Sequence, residues 1–348
     1  MPARPHDGGA ERLRLGLIGA GWIAQTHVRS ISESSAAVVC AVADVEPARA
    51  RALAGRLGAQ AYSSWTQMLD QSSGRLDAVL VCTPPQHHRE PTVAALERGI
   101  PVYLEKPIAR TQEDADAIVA AAERTGVRCA IGYQWHALAA AARIRGELSG
   151  QRLGLLVGRS IGPTTSRPWL LHRAQSGGQL LERASHHLDL QRMIAGRAST
   201  VSAHPGWVPL ADRERPDGDI EDVISVELAY DGGARGAIHI AWLRSEIPGM
   251  YDMTIAASEA LLTLTLDPQF TLSGVSRGHR IQQREDRPPA IAAMDLFLES
   301  LHSPDHPRRL CAPRDAAATL AVALACERSL RSGCPVEVGQ PGRAETQS

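Results

Sequence analysis

Lys106 is the only lysine in the 348-residue chain, and all the other fixed positive charges are arginines. A guanidinium stays protonated at any working pH, whereas an ammonium in a dry pocket can lose and regain a proton. The apolar run before Lys106, residues 102–104, is typical of a buried strand, and open α/β sheets present ligand groups at the carboxyl ends of their strands. The sequence therefore predicts that Lys106 moves a proton; the alternative is a surface lysine without a role.

A second polar group lies at helical spacing between residues 179 and 192. Glu182, His186 and Asp189 fall at i, i+4 and i+7, so they share one face if the stretch is a single helix from about residue 179. His187 points about a quarter-turn away. Many neighbouring residues are apolar, so the polar stripe must meet partners or a cavity. We therefore expect His186 to be functional, with a solvated charged face as the alternative.

A glycine-rich turn follows the first predicted strand, residues 13–18. It consists of Gly19, Ala20, Gly21, Trp22, Ile23 and Ala24. Gly19 permits a tight turn, Gly21 lets a pyrophosphate approach the backbone, and Ala24 lets helix and strand pack closely. The helix predicted over residues 25–32 would direct its N-terminus at the phosphate. The turn, including Trp22 and Ile23, is thus a predicted dinucleotide site.

Asp44 ends the second predicted strand, residues 37–43, at about the separation expected of the carboxylate that accepts ribose hydroxyls. Such a carboxylate repels a 2′-phosphate, so we expect NAD in preference to NADP. An alternative role, which does not exclude the first, is to cap the helix predicted over residues 47–57.

The predicted strand 76–82 ends in a second loop that faces the cofactor. Prolines after a parallel strand hold an extended loop over the sheet edge, where a nicotinamide ribose would lie. Thr83, Pro84 and His88 are therefore predicted cofactor contacts, together with Glu105 and Lys106 on the next strand. His87 and His88 have an alternative role as caps of the following helix.

Strands and helices alternate up to about residue 133, which predicts an α/β Rossmann domain with a doubly wound parallel sheet. Consecutive strands with few helices then predict an α+β domain with a mostly antiparallel open sheet. Residues 211–219 are predicted to form a mobile loop. The expected organisation is a disordered N-terminus at 1–12, a dinucleotide-binding domain at 13–133, a substrate-binding and oligomerisation domain at 134–338, and a disordered tail at 339–348.

The charge is nearly balanced, with 37 basic and 38 acidic residues, so nucleic acid is not an expected partner. Neither a signal-peptide pattern nor an apolar run of membrane-spanning length is present, which predicts a cytoplasmic protein. The six cysteines form no C-x-x-C pair and are expected to be reduced thiols rather than disulfides or metal ligands. No metal site is predicted.

Taken together, these motifs resemble the Gfo/Idh/MocA family of sugar and cyclitol oxidoreductases. The matching features are Gly19-x-Gly21-x-x-Ala24, Asp44, Cys82-Thr83-Pro84-Pro85, Glu105-Lys106-Pro107 and Glu182-x-x-x-His186-x-x-Asp189. The resemblance implies a C-terminal sheet that forms oligomer contacts, as a dimer or tetramer. It also implies that Lys106 is the catalytic lysine and that His186 lies beside the substrate. Glu182 stands where relatives commonly have Asp, and His136 where they often have Arg.

The expected reaction is hydride transfer between a nicotinamide cofactor and a carbinol carbon. Lys106, with its pKa lowered by desolvation, would carry the hydroxyl proton, and His186 would hold the hydroxyl. Glu182 and Asp189 would fix the imidazole or bind further hydroxyls. The carboxylate of Glu105 would oppose this unless it points to the opposite face of the strand. The Lys106-Pro107 bond is free to be cis or trans.

Two alternatives stay open at the level of the sequence. One is an enzyme that oxidises a sugar carbon only transiently, for elimination or epimerisation, and returns the hydride. The other is a non-enzymatic dinucleotide-binding sensor, against which the retained lysine argues. The pocket for a hydroxyl-rich ring is expected to include Trp135, His136, Trp169, His172 and Arg173.

Overall fold

The computed structural model describes residues 12–339 apart from 35, 73, 166, 208–217, 244–246, 268 and 304–309. The predicted N-terminal and C-terminal disorder and the predicted mobile loop at 211–219 therefore fall largely outside the described residues. Within them, no helix is both long and apolar enough to cross a bilayer. Cytoplasmic localisation stays a prediction.

The first part of the chain folds into a six-stranded parallel sheet covered by helices. Its strands are β1 (Leu13–Ile18), β2 (Ala37–Ala43), β3 (Gln60–Tyr62), β4 (Ala78–Val81), β5 (Val102–Leu104) and β6 (Cys129–Ile131). Its helices are α1 (Trp22–Glu33), α2 (Pro47–Leu57), α3 (Trp65–Gln71), α4 (Arg89–Glu97) and α5 (Gln112–Thr125). The strand order β3-β2-β1-β4-β5-β6 brings the carboxyl ends of β1 and β4 side by side.

Local sequence explains several of these elements. All four residues of β4 are buried, as expected of a central parallel strand covered on both faces. Helix α5 begins after Thr111, whose side chain accepts a hydrogen bond from the backbone N–H of Asp114, and ends at Gly126 in the left-handed conformation. Helix α1 begins at Trp22 rather than at residue 25, so the glycine-rich turn leads directly into it.

The second part of the chain forms a nine-stranded sheet. Its strands are β7 (Leu153–Pro163), β8 (Ala198–Gly206), β9 (Val223–Tyr230), β10 (Arg235–Leu243), β11 (Met250–Ala257), β12 (Ala260–Thr265), β13 (Thr271–Ser276), β14 (His279–Arg284) and β15 (Val336–Glu337). The order is β14-β13-β12-β11-β7-β10-β9-β8-β15, and only the β7–β10 pairing is parallel among the described strands. The predicted fold class is confirmed.

The second part of the chain also contains helices. They are α6 (Ala139–Leu148), α7 (Arg173–Ser176), α8 (Gln179–Glu182), α9 (Ser185–Ala195), α10 (Pro289–His302) and α11 (Pro313–Ser332). Of these, α6, α9 and α11 pack on the nine-stranded sheet. Buried and more exposed residues alternate along β9 and β10, as expected when one face of a sheet packs on the core. Helix α11 packs on β8 and α9 and also on α5, and α10 packs on α1, so C-terminal helices brace the parallel sheet.

The prediction of one helix running from Gln179 through Asp189 is wrong. Helix α8 ends at Glu182 and α9 begins at Ser185, with Arg183 and Ala184 between them. Helix α10 and strands β3, β13 and β14 were not among the predicted elements. The break between α8 and α9 matters for function because it falls within the predicted polar stripe.

Candidate active site

The glycine-rich turn has the geometry that a pyrophosphate requires. Gly19 has φ +92°, and a Cβ there would lie 2.8 Å from the carbonyl carbon and oxygen of Cys82, so backbone from β1 and β4 meets without room for a side chain. Gly21 is the N-cap of α1 and no side chain caps its amides. These amides point into open space and can bind an anion, so the residues fit a dinucleotide.

Other residues of the turn frame this site. Ala24 is fully buried, which allows the close helix packing predicted for it, and Ile23 is half-buried. Trp22 is 56% exposed, and the guanidinium carbon of Arg167 lies 3.8 Å from the centre of its ring. A residue from the second part of the chain therefore reaches over the turn.

Asp44 lies at the carboxyl end of β2, where the sequence predicted it. Its Oδ2 accepts a hydrogen bond from the backbone N–H of Ala20 at 2.7 Å, and its Oδ1 accepts one from the N–H of Glu46 at 2.8 Å. The N-cap of α2 is Glu46, so Asp44 is not the cap. Asp44 instead orients the glycine-rich turn, and its carboxylate edge lies beside the exposed Val45.

The loop after β4 is held by a buried histidine. Nε2 of His88 lies 2.8 Å from the carbonyl oxygen of Thr83, and Nδ1 lies 2.9 Å from that of Pro107. The hydroxyl of Thr83 donates to the carbonyl of His87, and Pro84 is extended. His88 thus contacts backbone rather than open space, and it fixes the loop relative to the segment after Lys106.

Glu105 and Lys106 follow strand β5, and their side chains have different partners. Its Oε1 lies 2.5 Å from Nε2 of His27 on α1, and its Oε2 accepts the backbone N–H of Lys106 at 3.0 Å. Burial by itself would raise the pKa of Glu105, but the hydrogen bond and charge of His27 lower it overall. Both oxygens of the Glu105 carboxylate are therefore hydrogen-bonded, and one of them fixes the backbone at Lys106. The Lys106-Pro107 peptide bond is cis.

The ammonium of Lys106 is paired with Glu182. Nζ lies 2.7 Å from Oε2 of Glu182 and 3.0 Å from its carbonyl oxygen. The two side chains are 17% and 18% exposed, so the pair is shielded but reachable. Helix α8, which follows the left-handed residues Gly177 and Gly178, brings Glu182 to the end of β5.

His186 lies on the same cavity wall as Glu182. Burial lowers the pKa of His186 well below its usual value, and the nearby charge of Lys106 lowers it further, so the imidazole is neutral near pH 7. Within the described part of the chain its Nδ1 has no hydrogen-bond partner. The ring of Trp135, which is 3% exposed, lies 5.2 Å from the imidazole and packs behind it.

The third member of the predicted stripe, Asp189, turns inward. Its Oδ2 lies 2.7 Å from Nε2 of His136, and its Oδ1 accepts the hydroxyl of Thr319 at 3.0 Å, with Sγ of Cys311 3.9 Å away. Burial alone would lower the pKa of His136, but the Asp189 carboxylate more than offsets this and raises it. Asp189 and His136 form a buried, hydrogen-bonded pair outside the lining of the cavity.

A cavity of about 320 Å³ opens beside the lysine pair, in the size range of ligand sites. Sequence reasoning identified two of its lining residues, Glu182 and His186. It missed others, because they reach the cavity from strands and a loop far away in the sequence or lie between helices α8 and α9. These are Arg183, Arg167, Trp242 and Tyr251.

Three predicted pocket residues lie elsewhere. Arg173 donates to Glu327 and to Glu221, each at 2.5 Å, and is thereby tied to the protein. Trp169 is half-buried in the short 3-10 helix Pro168–Leu171, of which Leu170 and not Trp169 lines the cavity. His172 is half-buried and follows this helix.

Comparison with known protein families agrees with this geometry. Residues 13–133 match the model described as "Oxidoreductase family, NAD-binding Rossmann fold", and residues 156–250 match that of the GFO/IDH/MocA C-terminal domain. The chain belongs to the GFO/IDH/MocA family of oxidoreductases.

Individual relatives extend this finding. The rhizopine catabolism protein MocA of Rhizobium meliloti is 33% identical over 190 residues, which are 54% of this chain and 59% of that protein. The scyllo-inositol 2-dehydrogenase (NAD(+)) of Bacillus subtilis is 23% identical over 335 residues, 94% of this chain and 96% of that protein. The crystal structure of the WlbA dehydrogenase from Bordetella pertussis in complex with NADH and UDP-GlcNAcA has a TM-score of 0.76 at 23% identity, covering 94% of this chain and 99% of that chain; it shows a shared fold.

Proposed function

We propose that this protein is an NAD-dependent dehydrogenase that oxidises a carbinol carbon of a sugar, a sugar derivative or a cyclitol. The observation that carries the proposal is the pairing of Lys106 with Glu182, because Glu182 lines a cavity that also presents the neutral His186. Relatives named as inositol dehydrogenases support the substrate class. A bound nicotinamide would accept the hydride.

Residues at the carboxyl ends of β1, β2 and β4 would hold the cofactor. The uncapped amides at the start of α1 would bind the pyrophosphate, and Thr83 and Pro84 would line the nicotinamide side. The loop after β2 supports NAD over NADP. It reads Asp44, Val45 and Glu46, so two carboxylates and no cation stand where a 2′-phosphate would need a positive charge.

Lys106 would take the proton that the substrate hydroxyl loses. Nζ can accept that proton only as a neutral amine, so it must first give a proton away. Oε2 of Glu182, at 2.7 Å, is placed to receive that proton and reaches the cavity itself. Glu182 thereby becomes the second station of a short proton relay.

His186 would orient the same hydroxyl. Because the imidazole is neutral, one ring nitrogen can donate a hydrogen bond while the other accepts one. Trp135 and Tyr133 pack against the ring, with centroid separations of 5.2 Å and 5.7 Å, and keep it from turning away. The fixed imidazole of His186 would then set the position of the substrate hydroxyl relative to Lys106.

We also infer that the protein is a homo-oligomer through the open face of its nine-stranded sheet. A cross-strand row on this face contains Leu155, Ala256, Leu261 and Val275, which are direct neighbours in register. Leu155, Leu261 and Val275 are 44%, 57% and 45% exposed. A continuous apolar row of this kind is typical of a surface that another subunit covers.

The direct test is the absorbance of reduced nicotinamide when the purified protein meets NAD⁺ or NADP⁺ with a panel of sugars, sugar acids and inositols. We expect a rise with one substrate class and a preference for NAD⁺. A preference for NADP⁺ would contradict the role given to Asp44. Silence across the panel, with NAD bound to the protein as purified, would instead favour transient oxidation for elimination or epimerisation.

A further inference from the structure

Arg183 is a half-buried cation with no carboxylate partner among the described residues. Its Nε donates to the hydroxyl of Ser160 at 2.6 Å, and no described residue accepts a hydrogen bond from its two terminal amino groups. Burial lowers the pKa of its guanidinium below the usual value, and the nearby Tyr251 offsets only part of this. Burying an unpaired charge is unfavourable, so this arrangement calls for an anion.

Two other partly buried arginines of the described residues show the contrast. Arg173 is paired with Glu221 and Glu327. Arg192 donates to a carbonyl and a hydroxyl of α11, outside the cavity lining. Arg183 differs from both because it lines the cavity without a carboxylate partner among the described residues.

The charges around the cavity also favour an anionic ligand. Glu182 is already neutralised by Lys106, which leaves Arg183 and, at the mouth, Arg167. Arg167 stacks on Trp22 of the cofactor turn, so its charge faces the dinucleotide side. Among the described residues that line the cavity, Arg183 is the arginine closest in sequence to His186, and it has no carboxylate partner there.

We propose that Arg183 binds a carboxylate of the substrate, so that the substrate is a sugar acid or a carboxylated cyclitol rather than a neutral polyol. The two terminal amino groups left free by the Ser160 contact match the two oxygens of one carboxylate. Two donors pair both oxygens of a carboxylate, whereas they leave at least one terminal oxygen of a phosphate dianion without a partner from Arg183. This inference names the substrate class of the site proposed above and rests on that proposed function.

The anion subsite adjoins the proton relay. Glu182, Arg183 and His186 all line the same cavity. The proton relay and the anion site are therefore adjacent, and a substrate held by Arg183 is presented to Lys106 and His186.

The test is calorimetric binding of matched ligands to the protein saturated with NADH, with D-galacturonate as the acid, D-galactose as its neutral twin and D-galactose 1-phosphate as the phosphate. We expect the acid to bind at least tenfold more tightly than galactose. Arg183→Gln should abolish this preference without changing the affinity for NADH. Arg183→Lys should keep part of the preference, which separates loss of charge from loss of folding. Arg143→Gln, on the exposed face of α6, is the matched control and should behave as the wild type.

Equal binding of acid and neutral sugar by the wild type, or an unchanged preference in Arg183→Gln, would overturn the proposal. Tighter binding of the phosphate than of the acid would overturn the carboxylate assignment. Because the readout is binding, it does not depend on turnover. A carboxylate preference lost in Arg183→Gln, in a protein that reduces no NAD⁺, would support the subsite and contradict the dehydrogenase.

Discussion

Two acid–base pairs of this protein have the same contact length and opposite surroundings. Nζ of Lys106 lies 2.7 Å from Glu182, and Nε2 of His136 lies 2.7 Å from Asp189. The first pair borders a cavity, with both partners nearly a fifth exposed, whereas the Asp189 side chain is only 2% exposed and also accepts the hydroxyl of Thr319. In the function proposed above, the first pair exchanges protons with a ligand. The second joins α9 to the 3-10 helix Gln134–Ala137, and Thr319 adds a bond from α11.

Residue type and spacing identified the members of both pairs as candidate active-site groups. Whether a ligand in the cavity can reach a pair separates a catalytic role from a structural one. Glu182 and Asp189 looked equivalent on one predicted helical stripe. In the structure Glu182 lines the cavity, whereas Asp189 is buried and bonded to His136 and Thr319. Perturbed ionisable groups are common to active sites and to structural networks, and geometry tells the two apart.

The largest expected effect is that of Lys106→Met. Removing a positioned proton carrier should lower kcat by about 10²–10⁴-fold. NAD binding should persist because the glycine-rich turn and Asp44 do not depend on the lysine side chain. Steady-state reduction of NAD⁺ and NADH titration measure the two quantities. Lys106→Arg, which keeps the charge but cannot give up a proton, should be equally inactive, and an active arginine variant would show that charge alone suffices.

Asp189→Ala should act on stability rather than on chemistry. It leaves His136 buried without its partner, and breaking such a pair typically costs about 3–5 kcal/mol. Urea unfolding should show this loss, while the kcat of the folded fraction stays within a few fold of the wild type. If the variant had normal stability but no turnover, this would support the direct substrate contact that the sequence predicted for Asp189.

Glu182→Gln should give a smaller kinetic effect than Lys106→Met. The amide keeps a hydrogen bond to Nζ but cannot take its proton, so we expect kcat to fall by about 10–100-fold, at the lower end of general acid–base effects. Thermal unfolding should be nearly unchanged because the pair is only partly buried. A large loss of stability with normal kcat would assign this pair the structural role instead.

The smallest expected effect is a pH dependence of stability from His136. Its pKa is raised in the folded protein, so this group stabilises the fold fully below its unfolded value of about 6.5 and loses that contribution as the pH rises through the folded pKa. Urea midpoints above pH 6.5 should therefore fall more steeply for the wild type than for His136→Gln. If the urea midpoints of the wild type and of His136→Gln changed with pH in parallel, His136 would not be charged in its pair with Asp189.

Acid conditions should test the other histidine of the site. The pKa of His186 is lowered in the folded protein, so the unfolded chain binds this proton first and stability is lost as the pH falls below about 6.5. For the same reason, kcat should show no titration of His186 near pH 6.5. A kinetic pKa near 6.5 that disappears in His186→Gln would contradict a neutral, buried imidazole.

Sequence predicted the regular parts of the fold well. Hydrophobic pattern and end signals placed β2 and α2 at their observed bounds, since the strand is apolar throughout and the helix ends at the left-handed Gly58. The glycine-rich turn lies at the start of α1 as its sequence predicted, and Lys106 is paired with Glu182 beside a cavity. The strand, the helix and the turn depend on residues close together in the chain, where local physical rules apply.

The rest depended on contacts between distant residues. Local propensity favours a continuous helix through residues 179–189, whereas the structure has two helices with Arg183 between them. The place of Arg183 on the cavity wall depends on distant residues that complete the cavity. The partners that bury Asp189 include Thr319, which lies 130 residues away in the chain. Trp135 was expected to meet substrate, but it lies behind His186 because Tyr251 and His187 pack around it.

The most direct test of the central claim is a double-mutant cycle on kcat with Lys106→Met, Glu182→Gln and the double variant. If Lys106 and Glu182 form one proton relay, removing the carboxylate has little further effect once the lysine is gone. We predict that the double variant turns over at the rate of Lys106→Met, within about threefold. Losses that multiply, so that the double variant is slower by the product of both single effects, would show that the two side chains act independently and would contradict the relay.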